Sequence, residues 1–310
     1  MFYVAHRLFA AHDRHLGAAA ATALASRVGF DNVFLPFCDT DEEDLVADVK
    51  GRRLFDLDRQ RLNRLHGMLA ILHGPSLDDG VCMEIGYAAA LGVPIVVFTT
   101  DFQTYGPTET GPELAFADPL IETVTTDIVR AHRLGPPADD PDRFRGFATR
   151  NALQIDAGID HAVTRLLVSA AATPTMTTAG PAVTDTVFVE PSPYGSPTDW
   201  RHLVEHHSTD TQRHNARRQL ALDPMGTAKA DWDAALSSHT LIVNVAGPET
   251  PPGAAVLIGA AVASGKRVLA YSPHSLWTYA HGREPNWRNL MIQYSITRQL
   301  VTIDHQHSTR

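Results

Sequence analysis

Two acidic residues near one predicted helix start, Asp78 and Glu84, are the strongest candidates in this chain for covalent or acid–base chemistry. They belong to the segment DDGVCMEIGY at residues 78–87, which follows an apolar run. One carboxylate of such a pair can attack an electrophilic carbon while the other, held protonated, donates to a leaving group. The simpler interpretation is that Asp78 caps the helix and Glu84 is a solvated side chain in its first turn.

The same segment recurs in the C-terminal half without its acidic residues. Residues 251–260 read PPGAAVLIGA, and the correspondence runs without a gap from Asp58 and Asp231 to Gly92 and Gly265. Matched turn residues and helix positions over such a length predict a duplicated domain. Because glycines and apolar residues persist where Asp78 and Glu84 are replaced, we expect that these two carboxylates are not needed for the fold and are the first candidates for chemistry.

Composition narrows the possible functions. A length of 310 residues predicts about two domains, and a net charge of −9 leaves no broad basic surface for nucleic acid. Two cysteines and sixteen scattered histidines without an HExxH pattern predict neither a disulfide framework nor a metal site. The chain begins directly as a strand and contains no long uncharged apolar run. We therefore expect a cytoplasmic protein without membrane attachment that acts on a small molecule.

Short apolar runs alternate with longer amphipathic stretches, which predicts an α/β fold with parallel sheets covered on both faces. In such sheets, ligands bind outside the carboxyl ends of the strands. We predict two tandem doubly wound domains, flavodoxin- or Rossmann-like, that form a pseudo-dimer. The predicted divisions are a catalytic domain at 1–170, a linker rich in Thr, Ala, Pro and Gly at 171–186, and a degenerate domain at 187–310 that completes the site. Strands are predicted at 2–5, 33–35, 68–72 and 95–98, and helices at 16–27, 59–65, 81–91 and 143–170.

Several segments together resemble the nucleoside 2-deoxyribosyltransferase family. They are YVAHRLF at 3–9, VFLP at 33–36, the helix and strand at 58–72, the signature at 78–94, and the tail with EP at 284–285 and NLM at 289–291. The resemblance covers residues 2–125 and 187–300. It implies an oligomeric enzyme that needs no cofactor, cleaves the N-glycosidic bond of a nucleoside, and transfers the sugar to another base.

The resemblance also implies a role for each matching residue. Glu84 would attack C1′ of the sugar, Tyr3 would orient the Glu84 carboxylate, and Asp78 would protonate or hydrogen-bond the departing base. Asn289 would approach the 5′ end of the sugar from the second half, so the chain is expected to hold one working site shared by its two halves. We predict substrate contacts at Arg7, Phe9, His66, Gly80, Asn289 and Met291.

Two residues depart from the family's usual pattern and leave alternatives open. His66 stands where an acidic residue usually helps to read the base, and its alternative role is to cap the preceding helix. Arg7 suits a 5′-phosphate, or else pairs with a nearby acid such as Asp13. Two alternative functions also stay open: hydrolysis of a nucleoside or a nucleoside 5′-monophosphate, and non-catalytic sensing of a nucleoside or nucleotide.

Overall fold

A five-stranded parallel sheet forms the N-terminal half of the protein. Its strands are β1 (Phe2–Ala5), β2 (Val33–Phe34), β3 (Gly67–Ile71), β4 (Ile95–Thr99) and β5 (Asp127–Arg130), in the order β2-β1-β3-β4-β5. The computed structural model describes residues 1–40, 50–106, 111–131, 142–172, 184–191, 211–212, 218, 221–245, 247, 249–271 and 288–300. The central strands β3 and β4 are buried along their whole length, as their continuous apolar runs require.

A second five-stranded parallel sheet lies in the C-terminal half. Its strands are β6 (Thr184–Glu190), β7 (Thr211–Gln212), β8 (Ser238–Asn244), β9 (Arg267–Tyr271) and β10 (Arg298–Leu300). Their order is β7-β6-β8-β9-β10. Counted within each half, both sheets therefore have the strand order 2-1-3-4-5. This is the flavodoxin-like doubly wound order. The predicted α/β fold with two parallel sheets is confirmed.

Helices cover the sheets in alternation with the strands. They are α1 (Ala11–Val28), α2 (Lys50–Leu62), α3 (Asp79–Ala90), α4 (Pro119–Val124), α5 (Arg143–Ala172), α6 (Pro224–Ser237), α7 (Pro252–Ala263) and α8 (Leu290–Ser295). The long helix α5 packs Ile159, Val163 and Leu166 into one core cluster with Phe98 of β4. Strand β5 and helix α4 were not among the predicted elements. In the described parts of the chain, no helix combines the length and apolar character that a membrane crossing requires.

The predicted linker at 171–186 overlaps regular structure at both of its ends. Helix α5 continues to Ala172, and β6 begins at Thr184. The interior of the predicted linker, residues 173–183, lies outside the described residues. The domain boundaries therefore stay predictions.

The two halves meet where α3 crosses α7. A Cβ atom added to Gly86 would overlap the carbonyl oxygen of Val256, and one added to Gly259 would overlap that of Met83. Only glycine allows two helix backbones to approach so closely, which explains why both copies of the repeat retain it. Buried residues from both halves, Val81 and Val256 among them, belong to one continuous core cluster.

Candidate active site

A buried hydrogen bond joins Tyr3 to Glu84 at the centre of the candidate site. The Tyr3 hydroxyl donates to Glu84 Oε1 over 2.6 Å, and both residues are buried. Tyr3 lies within β1 and packs against the ring of Phe34 at a centroid distance of 5.3 Å. Helix α3 begins at Asp79, so Glu84 lies in its second turn. The sequence had suggested the first turn. The hydrogen bond from Tyr3 restricts the rotation of the Glu84 carboxyl group.

Asp78 lies immediately before α3 and serves as its N-cap. Its Oδ1 accepts a hydrogen bond from the Val81 amide over 2.9 Å, so the predicted capping role is confirmed. Its second oxygen, Oδ2, lies 3.5 Å from Arg7 Nε. Burial raises the pKa of the Asp78 carboxyl, and the Val81 amide and the Arg7 guanidinium only partly oppose this shift. The Asp78 carboxyl group thus caps the start of α3 and has a raised pKa.

The C-terminal half contributes a side chain to this site through Asn289. Asn289 caps α8, with its Oδ1 accepting from the Met291 amide over 2.9 Å. A Cβ atom added to Gly80 would lie only 2.6 Å from Asn289 Nδ2, so the amide reaches the first turn of α3. Met291 is buried in the core cluster that also contains Tyr3. The structure therefore brings Asn289 to Gly80, two residues after Asp78, whereas Met291 lies in the core cluster.

Arg7 connects the two halves by ion pairs. It follows β1, and its guanidinium contacts Glu249 of the C-terminal half as well as Asp78. The other oxygen of Glu249, Oε2, accepts from the Ser76 hydroxyl over 3.3 Å. Arg7 thus pairs with nearby acids, as one interpretation of the sequence held, but its described ion pairs are with Asp78 and Glu249, and the charge of Asp13 acts on it without such a contact. Glu249 was not identified from the sequence. The repeat aligns it with Ser76, so it is an acid present only in the copy that lacks acidic counterparts of Asp78, Asp79 and Glu84.

Asp79 forms a second contact between the halves beside Asp78. Its Oδ2 accepts a hydrogen bond from the Thr250 amide over 2.9 Å, and its side chain is buried. Burial and then the charge of Asp78 raise the pKa of Asp79 to about 7, against the opposing effect of the Thr250 amide. The loop that carries Glu249 and Thr250 therefore docks against the start of α3.

His66, which was predicted to bind substrate, lies away from the candidate site. His66 comes just before β3, so it lies at the amino edge of the sheet, whereas Asp78 follows the carboxyl edge. Its Nδ1 is 2.8 Å from the amino group of Met1, and its side chain is exposed. The structure therefore does not bring His66 to the site, because strand direction separates the two edges. Phe9 lies on the correct edge, in the loop after β1, and is 64% exposed.

In the second sheet, the positions of Tyr3 and Glu84 are apolar. Phe188 pairs with Leu241 of β8 as Tyr3 pairs with Met68 of β3, so Phe188 and Tyr3 occupy equivalent register positions. Leu257, in α7, aligns with Glu84 in the repeat and is fully buried. The C-terminal half has therefore lost both members of the hydrogen-bonded pair.

The region of the second half that corresponds to this site is filled by Arg218 and its carboxylate partners. The guanidinium is fully buried and contacts Asp118 at 2.8 Å, Glu190 at 2.6 Å and Asp231 at 3.0 Å. A Cβ atom on Gly253, the counterpart of Gly80, would overlap Arg218 and Asp118. Burial raises the pKa of Glu190 to about 7, although Arg218 lowers it. Asp118 caps α4 as Asn289 caps α8, so each half extends a capping residue toward the other.

Among the described residues, His12, Asp13 and His73 come nearest to a set of metal ligands. One ligand atom from each lies within 4.8 Å of the others. Asp13 Oδ1 is 2.9 Å from His73 Nε2 and 3.5 Å from His12 Nε2, and the His12 side chain is 79% exposed. The closest contact of the three is the hydrogen bond between His73 Nε2 and the buried Asp13 carboxyl group.

An open cavity beside β5 is separate from the candidate site. It is lined by Phe102, Arg130, His161 and Arg165 among others, and none of Tyr3, Asp78 or Glu84 borders it. Glu84, the potential nucleophile, is therefore not part of the lining of this cavity. We place the candidate site at the buried pair and not at this cavity.

Comparison with known proteins identifies the part of the chain that carries this site. A family model described as nucleoside 2-deoxyribosyltransferase matches residues 2–151. The matched region contains Tyr3, Arg7, Asp78 and Glu84 and ends within α5, before the second sheet. No match was found among curated proteins.

Proposed function

Residues 2–151 belong to the nucleoside 2-deoxyribosyltransferase family, and from this premise we propose that the protein cleaves the N-glycosidic bond of a nucleoside and transfers the sugar to another base. The observation that carries the proposal is the hydrogen bond from the Tyr3 hydroxyl to Glu84. A carboxylate held in one orientation is suited to attack at a single carbon atom. The reaction then needs no cofactor, because the chain supplies both the nucleophile and the acid.

In the first step, a Glu84 oxygen forms a bond to C1′ as the bond from C1′ to the base nitrogen breaks. The departing base takes the bonding electrons and receives a proton from Asp78. In the second step, the nitrogen of another base attacks C1′, Glu84 leaves as a carboxylate, and Asp78 recovers the proton. The oxocarbenium-like transition states are stabilised by the adjacent negative charge, as in glycoside hydrolysis.

Asp78 is suited to the acid role because its burial favours the neutral carboxyl. Its Oδ1 is held by the Val81 amide, which leaves Oδ2 as the oxygen able to carry and deliver a proton. Arg7, at 3.5 Å from Oδ2, is close enough to stabilise the carboxylate left after proton transfer.

The C-terminal half, in this proposal, is a degenerate copy that completes the active site of the first half. Asn289 approaches α3 beside Gly80 and supplies an amide for the sugar's 5′-hydroxyl. The corresponding region of the second half contains Arg218 and lacks a carboxylate at Leu257. We therefore expect one substrate per chain, with the fused halves acting as a pseudo-dimer that assembles further into homo-oligomers.

The charges around Arg7 favour a nucleoside over a nucleoside 5′-monophosphate. The guanidinium already pairs with Glu249 and Asp78, so a phosphate placed on it would face two carboxylates. Like charges at such short range oppose binding of a dianion. A neutral 5′-hydroxyl next to Asn289 carries no such penalty.

The test is incubation of the protein with a 2′-deoxynucleoside, with and without a second free base, followed by chromatography. We expect a new nucleoside to form only when the second base is present, and Glu84→Gln to abolish it while the exposed carboxylate variant Glu113→Gln does not. Intact mass after reaction with a 2-fluoro-2-deoxynucleoside should show one added sugar per chain, absent in Glu84→Gln.

Three results would contradict the proposal in different ways. Sugar release that is unaffected by added base indicates a hydrolase. Binding without turnover in both the wild type and Glu84→Gln indicates a sensor. Turnover that survives Glu84→Gln removes Glu84 as the nucleophile.

A further inference from the structure

Among the described residues, Glu249 brings a carboxylate from the C-terminal half into the surroundings of the proposed acid. Its Oε1 accepts from Arg7, and its Oε2 accepts from Ser76 over 3.3 Å, so both oxygens bind residues of the first half. Glu249 is only partly exposed, at 23% for its side chain. The residue is therefore held in a defined position next to the site, although it belongs to the half without a nucleophile.

Arg7 is shared between two carboxylates with unequal contacts. It hydrogen-bonds directly to Glu249, whereas its closest ion-pair distance to Asp78 is the longer one, 3.5 Å from Nε to Oδ2. An arginine satisfied by one carboxylate interacts less strongly with a second, because its donors and its charge are already compensated. Without Glu249, the ion pair that Arg7 keeps among the described contacts is the one with Asp78.

We propose that Glu249 is a positioning residue for the reaction: by holding Arg7, it limits the pairing of Arg7 with Asp78 and so keeps Asp78 able to donate its proton to the departing base. The inference rests on the proposed function, since it concerns the acid of that reaction. In this proposal, the C-terminal half contributes Glu249 to the site in addition to Asn289.

The charges that face Asp78 support the direction of this effect. Arg7 comes from the loop after β1, Asp79 and Cys82 from α3, and Glu249 from the loop before α7. Of these, only Arg7 is cationic and lowers the pKa of Asp78, whereas burial raises it. Loss of Glu249 removes a nearby negative charge and frees the cation, and both changes favour the ionised form of Asp78.

The decisive measurement is the pH profile of kcat/KM for the full chain, compared between wild type and Glu249→Gln. We expect the basic limb, which reports loss of the Asp78 proton, to move to lower pH by about one unit in Glu249→Gln. Arg7→Met should move the limb to higher pH. Adding Glu249→Gln to Arg7→Met should shift it much less than Glu249→Gln shifts the wild type, because most of the effect of Glu249 passes through Arg7. Ser76→Ala removes a hydrogen bond to Glu249 but leaves the Glu249 carboxylate present. It should therefore not change the pH of the basic limb.

A readout independent of turnover separates this inference from the proposed function. The carboxyl ¹³C titration of Asp78, identified by its loss in Asp78→Asn, should shift to lower pH in Glu249→Gln by the same amount. If the titration shifts but no nucleoside is turned over, the proposed function fails and the electrostatic link stands. An unmoved titration, or a uniform loss of activity across pH in Glu249→Gln, overturns the inference and leaves Glu249 a purely structural contact.

Discussion

Tyr3 and Phe188 occupy equivalent positions in the two sheets, but only Tyr3 carries a hydroxyl, which donates to Glu84. Tyr3 pairs in register with Met68, and Phe188 pairs with Leu241 at the corresponding point. The change from Tyr3 to Phe188 accompanies the change from Glu84 to Leu257, since a buried hydroxyl without an acceptor is costly. The hydroxyl and the carboxylate are thus present together in one half and absent together in the other.

Replacement of Tyr3 by phenylalanine should lower kcat with little change in folding. The ring still fills the core, but Glu84 loses the donor that orients it, so we expect kcat to fall by about 10- to 100-fold, as for loss of one positioning hydrogen bond. Tyr87→Phe is the matched control, because it removes a hydroxyl that donates to Asn63 Oδ1 over 2.9 Å. Steady-state kinetics of both variants check this, and equal activity in Tyr3→Phe and wild type would contradict it.

Shortening Asn289 to serine should weaken substrate binding. Serine retains the ability to cap α8 but no longer reaches Gly80, so KM should rise by about 10-fold, the equivalent of one lost hydrogen bond. Asp223→Ala removes the N-cap of α6 instead, and should reduce stability by about 1 kcal/mol without affecting KM. A KM that changes in Asp223→Ala but not in Asn289→Ser would show that the second half contributes stability alone.

Removal of the buried cation Arg218 should strongly destabilise the protein. In Arg218→Met, Asp118, Glu190 and Asp231 lose the guanidinium that compensates them, so the free energy of unfolding should fall by about 3–5 kcal/mol. The exposed pair of Lys229 with Asp233 offers a control, and Lys229→Met should cost no more than about 0.5 kcal/mol. Urea denaturation measures both, and similar losses in the two variants would refute the role given to the buried cluster.

The pH dependence of stability should reveal the protonated carboxyl of Asp79. Its pKa is about 7 in the folded protein against an ordinary value of 3.8, so between these values the unfolded chain releases a proton that the folded chain keeps. The stabilising contribution is complete below about pH 4 and is lost as pH rises to 7, with a slope of at most about 1.4 kcal/mol per pH unit.

Comparison with Asp79→Asn isolates this effect from other titrating groups. His6 acts in the opposite direction, because burial lowers its pKa to about 4 and its contribution is lost as pH falls. The difference in unfolding free energy between wild type and Asp79→Asn should therefore be followed by urea titrations from pH 4 to 8. We expect wild type to lose stability relative to the variant as pH rises, and a constant difference would contradict the buried protonated state.

The elements of the first half could be predicted because their signals are local. Continuous apolar runs predicted β1, β3 and β4, and helical spacing predicted α1, α3 and α5. Strand β5 and α4 were missed because β5 is a half-buried edge strand with charges at both ends and α4 is a single short helix. His66 was expected at the base pocket, but the direction of β3 places it at the opposite edge of the sheet from Asp78.

The sequence alone determined that the chain has an α/β fold and that Glu84 and Asp78 are among the acidic residues lost from its second copy. Periodicity and repetition are properties of neighbouring residues, so they can be read without coordinates. Only the tertiary structure decided which residues of the two halves meet: Arg7 with Glu249, and Gly80 with Asn289. These contacts depend on how closely α3 and α7 cross, and that distance is set by packing between segments far apart in the chain, which no local pattern encodes.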